Sequence, residues 1–103
     1  MTQDNTILIG DKPIMNYVTG VVMQFTTKNS SEVMIKARGK FISRAVDVAE
    51  VASKRFLDNA ITIQNIAVDS EEFRNEEGRQ IRVSTIEIML TKRDSGAINL
   101  LNR

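Results

Sequence analysis

The densest chemistry in this sequence is a run of cations. Residues 36–44 read Lys-Ala-Arg-Gly-Lys-Phe-Ile-Ser-Arg, carrying Lys36, Arg38, Lys40 and Arg44 with no acid among them. The glycine inside the run and the apolar patterns on either side place it over a strand end, a turn and a helix start. That location suits an anion, because the first turn of a helix offers unpaired N–H groups and the positive end of the helix dipole. Lys12, directly before Pro13, repeats the arrangement at the start of an earlier helical pattern. Phosphate held by backbone and side chains together is the chemistry such a pair of sites would do. A plain solvated charge run is the other reading.

The reverse charge lies in residues 69–77, where Asp69, Glu71, Glu72, Glu76 and Glu77 stand against Arg74 for a net −4, with Arg79 and Arg82 just beyond Gly78. A calcium loop needs alternating Asp/Asn ligands and a glycine at a set position, and neither is there. A pair of acids could serve glycoside hydrolysis, yet no cleft is implied beside these. A solvated hairpin tip is the simpler reading. The chain has no cysteine and no histidine, which removes thiolate nucleophiles, imidazole bases and zinc sites built on nitrogen or sulfur. The expectation is a protein without catalysis, cofactor or metal.

These charges need elements to position them. Residues 6–9 form a short apolar run closed by Gly10, as a buried strand would. Pro13 suits a first helical turn, Asp11 is placed to accept its free N–H groups, and Ile14, Val18, Val21, Val22 and Phe25 recur at helical spacing. Residues 32–38 alternate Val33, Ile35 and Ala37 against Met34, Lys36 and Arg38, the pattern of a half-buried strand. A second helix begins at Phe41 and buries Ile42, Ala45, Val46, Ala49, Ala52 and Phe56, with Asp47, Glu50, Ser53 and Lys54 outward.

Ile61, Ile63, Ile66 and Val68 make a third strand whose slip in parity predicts a bulge near Gln64 and Asn65. Residues 69–78 are the tip, and residues 81–91 a fourth strand with Ile86, Ile88 and Leu90 on one face and Val83, Thr85 and Met89 on the other. Apolar residues on both faces predict burial on both. The order β-α-β-α-β-β, with two right-handed crossovers and a long hairpin, defines an α+β two-layer sandwich: a mixed four-stranded sheet with both helices on one face.

The 103 residues, 42% hydrophobic, suffice for one modest core. We read residues 1–93 as a single domain and residues 94–103 as a C-terminal appendage. No apolar run is long enough for a membrane helix, and residues 1–5 lack a signal-peptide pattern, so a soluble intracellular protein is expected. The net charge of +1 neither announces nor excludes a nucleic-acid binder. A small core also favours a dimer, in which a second copy adds buried area.

Among the aromatics, Phe25 and Phe41 fit the core. Phe56, by spacing alone, packs inward, while its place at a helix end beside Lys54 and Arg55 would open it to a partner. Tyr17, one turn into the first helix, can reach a phosphate bound at that helix start.

Four segments taken in order then carry a resemblance. Ile9-Gly10-Asp11-Lys12-Pro13-Ile14-Met15-Asn16-Tyr17, Ile35-Lys36-Ala37-Arg38-Gly39-Lys40, Ile42-Ser43-Arg44-Ala45-Val46-Asp47, and Gly78-Arg79-Gln80 with Arg82-Val83-Ser84-Thr85-Ile86-Glu87-Ile88 closely resemble the Alba family of archaeal chromatin proteins. The resemblance runs from about Asn5 to Lys92. It implies a dimer of the β-α-β-α-β-β fold, akin to the C-terminal domain of translation initiation factor three, that binds double-stranded DNA and also RNA without sequence preference. It assigns the body contact to Lys12, Asn16, Tyr17, Arg38 and Lys40, to which the basic run adds Arg44, and the reach toward adjacent minor grooves to the hairpin with Arg79 and Arg82. Phe56 matches a position at which dimers pack side by side along DNA. The location implied is the cytoplasm, on the chromosome.

Two departures from the family pattern predict differences. Where relatives carry two consecutive lysines, one of them a site of regulatory acetylation, this chain has Asp11 then Lys12. Asp11 repels phosphate, so weaker binding and no acetylation at that position are expected. The acidic tip meets strong negative potential near a minor groove, which predicts a shallower approach by the arm. Two other functions fit the same residues: an RNA-binding or ribonucleoprotein subunit that reads an A-form helix by shape, and a homodimeric interaction module whose cations are merely solvated.

Overall fold

A computed structural model describes residues 5–58 and 60–93 of the chain. The chain runs β1 (Thr6–Leu8), α1 (Ile14–Thr26), β2 (Glu32–Arg38), a single 3-10 turn (Gly39–Phe41), α2 (Ile42–Val51) continued by a π-helical segment (Ala52–Phe56), β3 (Ile61–Arg74) and β4 (Gln80–Lys92). The four strands form one mixed sheet in the order β1-β2-β4-β3. β1 pairs parallel with β2, and β4 lies antiparallel between β2 and β3. The expected α+β architecture is therefore observed. The proposed appendage, residues 94–103, lies outside the described residues.

One face of the sheet meets the helices. Val33, Ile35 and Ala37 from β2 and Ile86, Ile88 and Leu90 from β4 are buried there against Val18, Val21 and Phe25 of α1 and Ala45, Val48, Ala49 and Ala52 of the second helix. Alternation explains the sheet contribution, because every second residue of a strand faces the same way. Burying each large aliphatic side chain contributes roughly 1.5–3 kcal/mol, so Ile35, Ile88 and Leu90, at 2% exposure or less, anchor the sheet to the helices. The other face is only half-covered: Met34, Val83, Thr85 and Met89 are neither buried nor fully exposed. The burial expected on both faces of β4 is thus found on one.

Several local expectations shift. β2 spans the predicted residues, and the register slips between Ile63 and Asn65, as the parity change of β3 implies. The tip is much shorter than residues 69–78, because β3 continues to Arg74 and pairs through to Gln80. Asn75 closes the turn, its Oδ1 accepting the N–H groups of Glu77 and Arg79 at 2.9 Å each. Asp11 makes no cap; Pro13 precedes α1 and no side chain caps it. In the second helix Ser53 is buried and its hydroxyl donates to the Ala49 carbonyl at 2.8 Å, while Val46 and Phe56 are exposed. The π-helical hydrogen bond from Leu57 N–H to the Ala52 carbonyl at 3.0 Å widens the last turn, so 3.6-residue spacing stops predicting which side faces inward.

Beyond the point where Arg38 ends β2 opposite Thr85, the β3–β4 hairpin continues alone for five residues on each strand, residues 70–74 and 80–84. At about 3.4 Å per residue that is an arm roughly 17 Å long. It accounts for the elongated outline of 62 × 27 × 25 Å. No helix among the described residues is long and apolar enough to cross a membrane.

Candidate nucleic-acid interface

Because β1 and β2 are parallel neighbours, both end at the same edge, and the loop entering α1 lies beside the turn entering α2. The Ile9 N–H carries the ladder one step past β1 by donating to the Lys36 carbonyl at 2.9 Å. Arg44, in the first turn of α2, ties the two connections together: its Nε donates to the Gly10 carbonyl at 2.9 Å and its Nη2 to the Lys12 carbonyl. Tyr17 grips the same loop from α1, its hydroxyl accepting the N–H groups of Gly10 at 3.0 Å and Lys12 at 3.2 Å. A Cβ on Gly10 would lie 3.3 Å from that hydroxyl oxygen, which is why a side chain there would push the tyrosine away.

The backbone of Lys12 is held on both sides while its side chain remains exposed, with no ion pair among the described residues. Asn16 is exposed on the first turn of α1. Gly39 takes φ +55°, a left-handed conformation that L side chains resist, and reverses the chain between Arg38 and Lys40. The Lys40 ammonium sits 5.5 Å from the Phe41 ring centroid, within cation–π reach. Phe41 is half-buried and packs against the core rather than inside it.

Four other cations near the rim and on the arm, Arg38, Lys36, Arg82 and Arg74, have carboxylate or carbonyl partners. Arg38 Nη2 lies 2.8 Å from Glu71 Oε1 on the arm, and Lys36 lies 3.6 Å from Glu87, its cross-strand partner. Arg82 donates through Nε at 3.1 Å and Nη2 at 2.5 Å to one oxygen of Glu72, and Arg74 donates to the Gly78 carbonyl at 3.0 Å. Arg79 is exposed at the arm's end and has no ion pair among the described residues. Of the eight cationic and polar residues singled out in the sequence, Lys12, Asn16, Tyr17, Arg38, Lys40 and Arg44 thus converge on one rim, whereas Arg79 and Arg82 stand on the arm. The sequence places Glu71 and Glu72 in a solvated acidic tip and does not pair them with Arg38 and Arg82. The pairing follows from the register the structure sets: with Arg38 opposite Thr85 and Thr85 opposite Asp69, Glu71 falls two residues on along the same sheet face.

Phe56 lies elsewhere, half-exposed between the end of the second helix and α1. It lines a shallow hollow of about 240 Å³ with Met15, Val18, Thr19, Val22 and Met23, and Met15 and Met23 are themselves about half exposed.

Fold and site together define a class: two-layer α+β domains that present a basic rim at the open end of two parallel strands, flanked by a projecting two-stranded arm. The Alba family model matches residues 5–70. The chain is 48% identical over 89 residues to a protein of Methanococcus maripaludis named "DNA/RNA-binding protein Alba", covering 86% of this chain and 99% of the relative. It is 50% identical over 92 residues to a protein of the same name from Methanocella arvoryzae, covering 89% and 94% respectively. Among solved structures, Alba from Thermoplasma volcanium superposes with a TM-score of 0.77 at 45% identity, over 85% of this chain and all of that one. A Trypanosoma brucei protein, ALBA1, shares the fold at a TM-score of 0.70 and 19% identity, over 99% of this chain and 81% of that one. The chain belongs to the Alba family.

Proposed function

We propose that this protein binds double-stranded DNA without regard to sequence, as a chromosome-associated homodimer that also takes RNA, and that it is a binder rather than a catalyst. The observation that carries this reading is the rim itself: Lys12 and Lys40, both exposed and without ion pairs among the described residues, on two connections that Arg44 and Tyr17 lock side by side. Point charges carried on two connections held side by side suit phosphates, which are spaced regularly in any duplex and carry no sequence information. The names of the relatives, which mention both DNA and RNA, support the same partners. The arm would lie along the neighbouring groove and bring Arg79 to its backbone. The two-copy arrangement is favoured by β3, whose residues beyond Thr62 are all exposed and include Ile63, Ile66 and Val68 on the helix-facing side. Phe56, in its apolar hollow, is the contact between dimers side by side.

Titration of equal-length DNA and RNA duplexes over a salt series tests the reading. With Lys12, Lys40 and Arg79 contributed by each of two protomers, about six phosphate contacts would weaken binding roughly 10³-fold between 50 and 200 mM salt. Tight binding to DNA with weak binding to RNA, or the reverse, identifies the main partner. A flat salt dependence on both would leave an interaction module whose cations are only solvated.

A further inference from the structure

The cation of the rim whose guanidinium fork is best shaped for phosphate, Arg38, is held by a carboxylate of the arm. Glu71 reaches it from β3 at 2.8 Å, and both side chains are more than half exposed, at 57% and 56%. Glu72, one residue on, pairs with Arg82, which faces it directly across the hairpin, so that pair stays within the arm. The Glu71 pair joins the arm to the body. Glu71 lines the cleft where the arm leaves the sheet, about 640 Å³ in volume, alongside Lys36, Arg38 and Lys40, with Phe41 and Phe73 among its apolar walls. Glu87, the other carboxylate of the cleft, is paired with Lys36 at 3.6 Å, so Glu71 is the acid that stands against Arg38 where an incoming phosphate would otherwise meet these cations.

Carboxylate and phosphate present the same paired acceptors to a guanidinium, so Arg38 can hold one or the other in that geometry. An ion pair this exposed is weak and exchangeable. We propose that Glu71 is an intramolecular stand-in for phosphate, which occupies Arg38 in the free protein and thereby sets the affinity of the rim for a duplex. This rests on the nucleic-acid reading above. It assigns a function to an acid of the hairpin that general repulsion of DNA would treat like any other. In the free protein Arg38 is neutralised and the rim presents chiefly Lys12 and Lys40. A duplex that gains Arg38 must first displace Glu71, in each protomer.

The test compares the full chain with Glu71→Gln, Arg38→Gln, the double variant and Glu76→Gln, on one duplex DNA at one salt concentration. Glu76→Gln removes the same charge from the arm at a position with no ion pair among the described residues. Circular dichroism and sedimentation establish that all variants keep the fold and assembly of the wild type. Glu71→Gln is expected to tighten binding roughly three- to tenfold, since each protomer of a dimer loses one competing pair of modest strength, and to do so more than Glu76→Gln. Arg38→Gln is expected to weaken the Glu71→Gln protein by a larger factor than it weakens the wild type, because only there is Arg38 fully available. Equal gains from Glu71→Gln and Glu76→Gln, or strictly multiplicative effects of Arg38→Gln and Glu71→Gln, would overturn the proposal while leaving nucleic-acid binding intact. Absence of duplex binding by both the wild type and Glu71→Gln would overturn the functional reading and this proposal with it.

Discussion

The Tyr17 hydroxyl accepts two N–H groups from the loop that carries Lys12, so its influence on a bound phosphate runs through that lysine. Arg44 acts in the same indirect way, through the carbonyls of Gly10 and Lys12. Spacing places both residues at the rim but does not show that their polar ends point into the protein's own loop, since a loop's orphan backbone groups become visible only once the loop has a shape. Tyr17→Phe tests the distinction. Losing two hydrogen bonds on a partly exposed loop should cost about 1–2 kcal/mol, seen in urea or thermal unfolding as a lower midpoint. Duplex binding should weaken only a few-fold as Lys12 gains freedom. Unchanged stability together with binding weakened by more than tenfold would instead make the hydroxyl a direct phosphate ligand.

At the scale of elements, legibility followed the presence of an apolar period. β2 could be read to the residue because Val33, Ile35 and Ala37 alternate against a polar face, and the bulge in β3 showed as a change of parity between Ile63 and Ile66. The outer half of the hairpin could not be read as strand. Residues 70–74 are held by the backbone ladder to β4, and mostly polar residues on both faces give no period to detect. The second helix departs from its expected faces at Val46, which is exposed, and past Ala52, where the hydrogen-bond spacing itself changes. That change matters for function, because it leaves Phe56 half-exposed beside Met15 and Met23. Phe56→Ala should therefore alter monomer stability by less than about 1 kcal/mol, since a half-exposed ring loses little burial. The protein should remain folded and assembled as before, while its binding to long duplexes becomes less cooperative. A collapse of the fold in that variant would put Phe56 in a packing role instead.

For the whole molecule, the net charge of +1 conceals a division of labour: residues 69–77 hold −4 and the rest of the chain +5, and in space the acidic segment leans back on the basic one through Glu71 and Arg38. The same hairpin leaves a long strand uncovered. β3 has fourteen residues, meets β4 along one edge, and keeps its other edge open while Ile66 and Val68 remain 52% and 74% exposed on the side where the helices cover β2 and β4. An open edge next to an apolar strip is a template for association, and monomers seldom leave one bare. A second copy of the chain is the occupant that the proposed function requires, because two rims and two arms double the number of phosphates reached. Val68→Glu places a charge in that strip without touching the monomer's core. The variant should remain folded by circular dichroism, sediment as a monomer at micromolar concentration, and bind a duplex at least tenfold more weakly with about half the salt slope, as expected when half the phosphate contacts are lost. If it sediments like the wild type, the dimer uses another face; if it is monomeric yet binds with the full slope, one protomer makes all the phosphate contacts alone.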